Sequence, residues 1–112
     1  MANYYHKSMT QEKWNAYSKY QQILMVASEL GRAKSWIIRQ DYNEVSECYF
    51  RAIELLEMMI SDKKWLSPVK ELLRFKEVLG KAALFKNDDL NFCLSLYKNI
   101  LTWDREAIKV AI

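Results

Sequence analysis

Apolar residues recur with helical spacing along almost the whole chain, and little interrupts the pattern. Only two glycines and one proline occur among the 112 residues. Between about Thr10 and Gln40, apolar side chains return at alternating steps of three and four residues, the period of a helix that buries one face. The same period continues in three further segments, at about 42–60, 67–86 and 89–103. The sequence therefore predicts four amphipathic helices joined by short connections.

Polar residues with helix-capping chemistry mark the breaks between these segments. Asp41 precedes the second segment, Ser67 with Pro68 opens the third, and Asp88 opens the fourth. Aspartate and serine accept hydrogen bonds from the free amides of a first helical turn, where proline is tolerated because its missing donor is harmless. Gly31 lies within the apolar stripe of the first helix, at a cost of about 1 kcal/mol relative to alanine. We expect a close approach by a neighbouring helix backbone to offset that cost.

Length and apolar content define the fold class. A chain of 112 residues suits a single domain with one hydrophobic core. We therefore predict an all-α protein, an antiparallel four-helix bundle formed by residues 1–112, with residues 1–9 as a frayed N-terminal segment. Apolar residues make up 51% of the chain, at the upper end for a soluble protein. Part of that apolar surface is therefore expected to lie outside the core.

Several kinds of catalytic chemistry lack the residues they need. His6 is the only histidine, so neither a histidine metal cluster nor a Ser-His-Asp triad can be assembled. Gly31 and Gly80 are isolated within helical segments and do not form a glycine-rich phosphate loop. Cys48 and Cys93 are predicted to be buried, reduced thiols rather than a disulfide. We predict a protein that is not an enzyme and binds no cofactor and no metal; an acid/base pair of carboxylates stays open.

The start of the chain and its hydropathy bear on location. No apolar signal region follows Met1, which argues against secretion. No apolar run approaches the roughly 20 residues that a membrane-spanning helix needs. We therefore expect a cytoplasmic protein with no membrane partner.

The basic residues gather around the start of the third helix. They are Lys63, Lys64, Lys70, Arg74 and Lys81. The last three recur at steps of four and seven residues and so share one stripe of the helix. We interpret them as a solvated face, because nucleic-acid-binding domains usually concentrate far more positive charge than a net +3. The alternative is a contact with an acidic partner or an RNA backbone.

A second apolar line lies on the first predicted helix, opposite its core stripe. Trp14, Met25 and Trp36 are spaced by eleven residues, about three helical turns, so they align. Tryptophan and methionine are favoured at adaptable protein-binding surfaces, and we predict that these three residues bind a partner. The alternative is that the other helices, or the N-terminal segment folded over them, bury this line. Residues 108–112, with Ile108 and Ile112, form an apolar tail that either packs within the protomer or joins another subunit.

The order of elements resembles a known family. A helix of the Ala-x-x-Ile/Leu kind follows Asp41, the third begins with Leu-Leu-Arg-Phe at 72–75, and the fourth closes with Trp-Asp-Arg-Glu-Ala at 103–107. Over about residues 10–107 the chain is similar to the flagellin-specific export chaperones, although it lacks their usual proline at the start of the first helix. The resemblance implies a four-helix bundle that holds a flagellin tail against outer apolar grooves. A second similarity, to tetratricopeptide hairpins, spans fewer repeats than a solenoid needs.

These observations favour non-enzymatic protein binding of the chaperone or adaptor type, with a helical or unfolded segment of another protein as the client. Two alternatives remain. The first is a self-associating structural homodimer, whose interface would take up the surplus apolar residues. The second is an RNA-binding helical bundle that uses the basic residues Lys63, Lys64, Lys70 and Arg74.

Overall fold

Five α-helices make up most of the part of the chain that the structure describes. The computed structural model describes residues 3–105, 107 and 109, and no strand occurs among them. The helices are α1 (Gln11–Asn15), α2 (Lys19–Ile38), α3 (Tyr42–Ile60), α4 (Val69–Leu84) and α5 (Leu90–Leu101), with a 3₁₀ turn at Lys63–Trp65. The four long helices form a bundle, so the prediction of an all-α protein is confirmed. None of these helices is both long and apolar enough to cross a membrane.

The long helices do not pack equally on one another. Helix α2 packs on α3, α3 packs on α4, and α2 packs on α5, whereas α4 and α5 do not pack closely although they follow each other in the chain. Around the bundle the helices therefore run in the order α4, α3, α2, α5. Three of the four edges are closed by helix packing. The edge between α4 and α5 is the most loosely packed and is called here the open edge.

The first predicted helix is two helices in the structure. Thr10 caps α1 by accepting a hydrogen bond from the Lys13 amide, and α1 ends at Asn15. A capping box then opens α2, in which the Ser18 hydroxyl accepts from the Gln21 amide and the Gln21 side chain accepts from the Ser18 amide. Such boxes offer the backbone partners at a helix start, and here they interrupt the apolar period. The prediction of one continuous helix from Thr10 to Gln40 was therefore wrong.

The segment before α1 is attached to α3. The Glu54 carboxylate accepts hydrogen bonds from the amides of Tyr4 (2.8 Å), Tyr5 (3.0 Å) and His6 (2.7 Å), and from the His6 ring at 2.7 Å. The Asn3 side chain donates to the Met9 carbonyl at 2.9 Å. The expectation of a frayed segment therefore does not describe residues 3–9, while residues 1 and 2 lie outside the described residues.

A buried amide connects α1, α2 and the connection after α3. The Gln22 side chain is fully buried and donates to the Trp14 carbonyl (2.8 Å) and to Asp62 Oδ2 (2.9 Å). Its oxygen accepts from the indole nitrogen of Trp65. Buried polar groups are stable only when they are hydrogen-bonded in this way. Asp62 therefore ties the connection between α3 and α4 to the core, although the sequence indicated only a polar break there.

Two helix caps and the surroundings of Gly31 test three predictions made from the sequence. Helix α3 begins after Asp41, whose side chain accepts from the Glu44 amide, as predicted. Helix α5 is capped by Asp89 rather than Asp88, because the Asp89 carboxylate accepts from the Phe92 amide. The neighbour of Gly31 is the Tyr97 side chain, 3.9 Å from where a Cβ would lie, and not a helix backbone. The predicted close backbone approach at Gly31 was therefore wrong.

Candidate protein-binding surface

The predicted partner-binding line on the first helix does not form a surface. Trp14 is fully buried in the core, so its assignment to a binding site was wrong. The eleven-residue alignment of Trp14 with Met25 and Trp36 assumed an unbroken helix, and the break before Ser18 removes it. Met25 and Trp36 are half-buried and pack against the core. The Arg39 guanidinium also covers the Trp36 ring, 5.3 Å from its centre.

The apolar tail was the second predicted partner-binding feature. Ile108 and Ile112 lie outside the described residues. Ala107, which precedes Ile108, is described and is fully buried.

The largest group of exposed apolar side chains among the described residues lies on α4 and at its C-terminal end. Others are exposed elsewhere, at Tyr4, Tyr17, Ile38, Tyr42 and Leu66. Leu73, Val78, Leu84 and Phe85 are 49%, 40%, 71% and 80% exposed. This surface was not predicted from the sequence. Leu72, beside Leu73, is fully buried, as are most of the core positions of the bundle. The periodicity correctly identified apolar positions on α4, but it contained no sign that one neighbour of this helix would be missing.

The open edge of the bundle forms a groove between α4 and α5, called here the α4–α5 groove. Its two ends are aromatic. At one end Phe75 and Trp103 are in edge-to-face contact, with ring centres 5.2 Å apart. The apolar residues that line the groove are Phe75, Val78, Ala82 and Phe85 from α4 and its end, and Phe92, Leu96 and Trp103 from α5 and its end. The floor residues Phe75 and Leu96 are almost fully buried, whereas Val78 and Phe85 rise from one wall into solvent.

A second apolar strip follows the other side of α4, toward α3. It is lined by Ile53, Leu73 and Leu84, with Gly80 between them. A Cβ placed on Gly80 would meet no atom within 4 Å, so the strip is open above this position. Helix α4 therefore presents apolar side chains on both sides of its solvent-facing line.

That solvent-facing line is basic. Lys70, Arg74 and Lys81 share it, as the sequence predicted, and all three are exposed. Lys81 is paired at 3.6 Å with the exposed Glu77, which is a weak surface contact. Arg74 makes no ion pair with a residue that the structure describes. Glu71 lines the Trp103 end of the groove and is the carboxylate of that wall.

Lys64 belongs to the interior network rather than to the basic surface. Its ammonium donates to the Asn15 carbonyl at 2.9 Å and to the Asp62 carboxylate. Burial opposes ionisation of Asp62, but hydrogen bonds from Gln22 and Lys64 lower the pKa of Asp62 below its ordinary value. The basic surface proposed for RNA thereby loses one of its members.

The buried carboxylates among the described residues are paired with cations, and the buried thiols are free. Glu29 is buried and accepts from Arg32 (2.6 Å) and Arg51 (2.9 Å). Cys48 and Cys93 are buried free thiols, as predicted, and burial raises the pKa of both. A raised pKa leaves less thiolate, the reactive form. Among the described residues no three His, Cys, Asp or Glu side chains are grouped to hold a metal ion.

No family model, no curated protein and no solved structure matches this chain. The surface therefore has to be interpreted from its own geometry, and the resemblance to flagellin-specific export chaperones stays a prediction.

Proposed function

We propose that the protein is a non-enzymatic, protein-binding helical bundle of the chaperone or adaptor type, and that it holds a segment of another protein in the α4–α5 groove. The observation that carries this proposal is the open fourth edge of the bundle. Helices α4 and α5 pack on α3 and α2 but not closely on each other. Val78 and Phe85 consequently remain exposed above an apolar floor.

A helical segment suits this groove physically. The preferred distance between packed helices is about 8–10 Å, so a splayed pair can accept the side chains of a third helix between them. Burial of apolar surface contributes about 25 cal/mol per Å², and a client helix with one apolar face would cover the exposed wall. This is the helix-in-groove mode of recognition. A flagellin tail is one candidate client because of the resemblance, and a cytoplasmic location belongs to the same proposal.

Site-specific photo-crosslinking in the native cell tests the proposal. A photoreactive phenylalanine analogue replaces Phe85 in one variant and Tyr4 in a matched control. Both are exposed aromatic residues, at 80% and 75%, but Tyr4 lies on the segment held by α3. We expect an adduct with another protein from position 85, no such adduct from position 4, and loss of the adduct when Val78→Asp is added.

Three outcomes would contradict the proposal. Equal adducts from both positions would show that aromatic exposure alone captures protein. An adduct of two protomers, with a dimer in light scattering, would favour the structural homodimer. An RNA adduct would favour the nucleic-acid alternative, and RNA binding that weakens steeply with salt would support it.

A further inference from the structure

The two walls of the α4–α5 groove differ in charge. Beyond the apolar lining on the α4 side lie the exposed cations Arg74 and Lys81, each of which lines one half of the groove. The exposed positions of α5 nearest Phe92 and Leu96 are the uncharged residues Ser95, Asn99 and Thr102. The exposed cation Lys98 lies farther round this helix and does not line the groove. The groove is therefore apolar at its floor, basic on one rim and uncharged on the other.

The chain around the groove has the same sign of charge. Residues 63–105 carry nine Lys or Arg and five Asp or Glu, whereas residues 3–62 carry seven and eight. The positive balance of the protein thus lies in the part of the chain that forms the groove. An electrostatic field of this kind steers oppositely charged partners and sets their orientation more than it adds affinity.

We infer that the occupant of the α4–α5 groove is an acidic amphipathic helix, whose apolar face lies on Phe75, Val78, Leu96 and Trp103 and whose carboxylates face Arg74 and Lys81. This inference rests on the proposed function and names the chemistry of the partner. Phe75 and Phe85 are ten residues apart, so the lined part of α4 is about 15 Å long. Three turns of a partner helix cover that length.

The spacing of the two cations sets the pattern of the partner. Arg74 and Lys81 are two helical turns apart on the same line of α4. Acidic residues about seven positions apart, beside an apolar stripe at steps of three and four, would meet both cations from a helix lying along the groove.

The test uses the full chain and synthetic peptides. Two peptides of about five turns share one leucine stripe and carry either glutamate or lysine at the flanking positions. Binding is measured by isothermal titration calorimetry at low and at physiological salt, and the site is mapped by amide chemical shifts. We expect the glutamate peptide to bind, to shift amides of α4 and α5, and to bind about tenfold more tightly than the lysine peptide.

Charge-reversed variants isolate the two cations. The variant Arg74→Glu with Lys81→Glu should weaken binding of the glutamate peptide about tenfold and strengthen binding of the lysine peptide. The control is Lys34→Glu with Lys98→Glu, which changes the net charge equally at exposed positions outside the groove and should leave both affinities unchanged. A variant Val78→Ser should weaken both peptides, because it removes apolar contact and no charge.

The outcomes separate this inference from the proposed function. Equal binding of both peptides would overturn the acidic partner, as would equal effects of the two charge-reversed variants. Failure of both peptides to bind, together with a protein adduct from position 85 in the cell, would overturn the inference and leave the proposed function standing. Absence of that adduct would overturn the proposed function itself.

Discussion

The α2–α3 side and the α4–α5 edge of the bundle are built on different principles. On the α2–α3 side, polar groups fix the position of each neighbour, through the buried Gln22 and Glu29 and the half-buried Glu54. At the α4–α5 edge the floor is apolar, and the side-chain hydrogen bonds of the described lining residues are local, from Trp103 to Asn99 and from the Asp89 amide to Asn87. Polar contacts demand one geometry, whereas apolar contacts tolerate several. We therefore expect stability to be concentrated on the first side, and the proposed partner to bind at the second.

Adjacent residues of α4 give the largest contrast. Leu79 is fully buried and Val78 is 40% exposed at the groove. We expect Leu79→Ala to lower the free energy of unfolding by about 3 kcal/mol, through lost burial and a cavity. Val78→Ala should lower it by less than about 1 kcal/mol, since part of the lost contact is offset by the better helix propensity of alanine. Urea denaturation measures both, and similar losses would show that the groove is part of the stabilising core.

The Gln22 network provides the next test. Gln22→Ala removes the partner of the Asp62 carboxylate, the Trp65 indole and the Trp14 carbonyl. Buried groups left without partners make the expected loss about 2–3 kcal/mol. The control Gln21→Ala affects only the exposed capping box and should cost about 0.5–1 kcal/mol. If urea titration gave equal losses of unfolding free energy for the two variants, the buried network would contribute no more to stability than the exposed cap.

Acid should weaken the α2–α3 side first. Burial of Glu54 acts to raise its pKa, but the amides of Tyr5, His6 and Tyr4 and the His6 ring lower it below its ordinary value. A carboxylate whose pKa is lowered in the folded state stabilises the protein. This contribution is complete above the pKa of the unfolded state, about 4.3 for glutamate, and it is lost as the pH falls through the folded-state pKa. Glu54→Gln should therefore flatten the acid limb of stability against pH.

The matched control for the acid test is Glu57→Gln. Glu57 is exposed and lies 3.7 Å from Lys76, so its replacement should leave the acid limb unchanged. Hydrogen exchange at residues 4–6 should accelerate in Glu54→Gln alone. An unchanged acid limb in both variants would mean that another carboxylate, such as Asp62, dominates.

Substitutions of the two glycines give the smallest expected effects on stability. Gly31→Ala and Gly80→Ala should each raise stability by about 0.5–1 kcal/mol, since alanine favours the helix and neither Cβ meets an obstacle. Gly80 lies on the α3 side of α4, so Gly80→Ala should leave peptide binding in the α4–α5 groove unchanged. Weaker binding after Gly80→Ala would move the partner to the strip beside Ile53 and Leu73.

Local signals predicted much of the helical framework. The bounds of α3 follow from Asp41 as a cap and from an unbroken apolar period, and both are properties of a short stretch of sequence. The break between α1 and α2 also had a local signal, because Ser18 and Gln21 have the capping-box spacing. The stronger apolar period masked it, and the mistaken alignment of Trp14 with Trp36 followed.

The candidate surface depends on non-local packing, which periodicity does not contain. Leu72 and Leu73 are neighbours of identical chemistry, yet one is fully buried and the other is 49% exposed. Only the positions of α3 and α5 around α4 decide between them. Likewise, the sequence gives no sign that Asp62 is buried, because its partner Gln22 lies 40 residues earlier.

The Gln22 amide also has a consequence for the order in which the protein assembles during synthesis. Its indole partner, Trp65, is 43 residues later in the chain. We therefore expect α1 to pack stably on α2 only after Trp65 has left the ribosome. A nascent chain that ends at Ile60 would contain two complete long helices, but the Gln22 side-chain oxygen would lack the indole N–H from which it accepts a hydrogen bond. In ribosome-stalled chains of increasing length, the connection between α1 and α2 should become resistant to protease only after Trp65 has emerged.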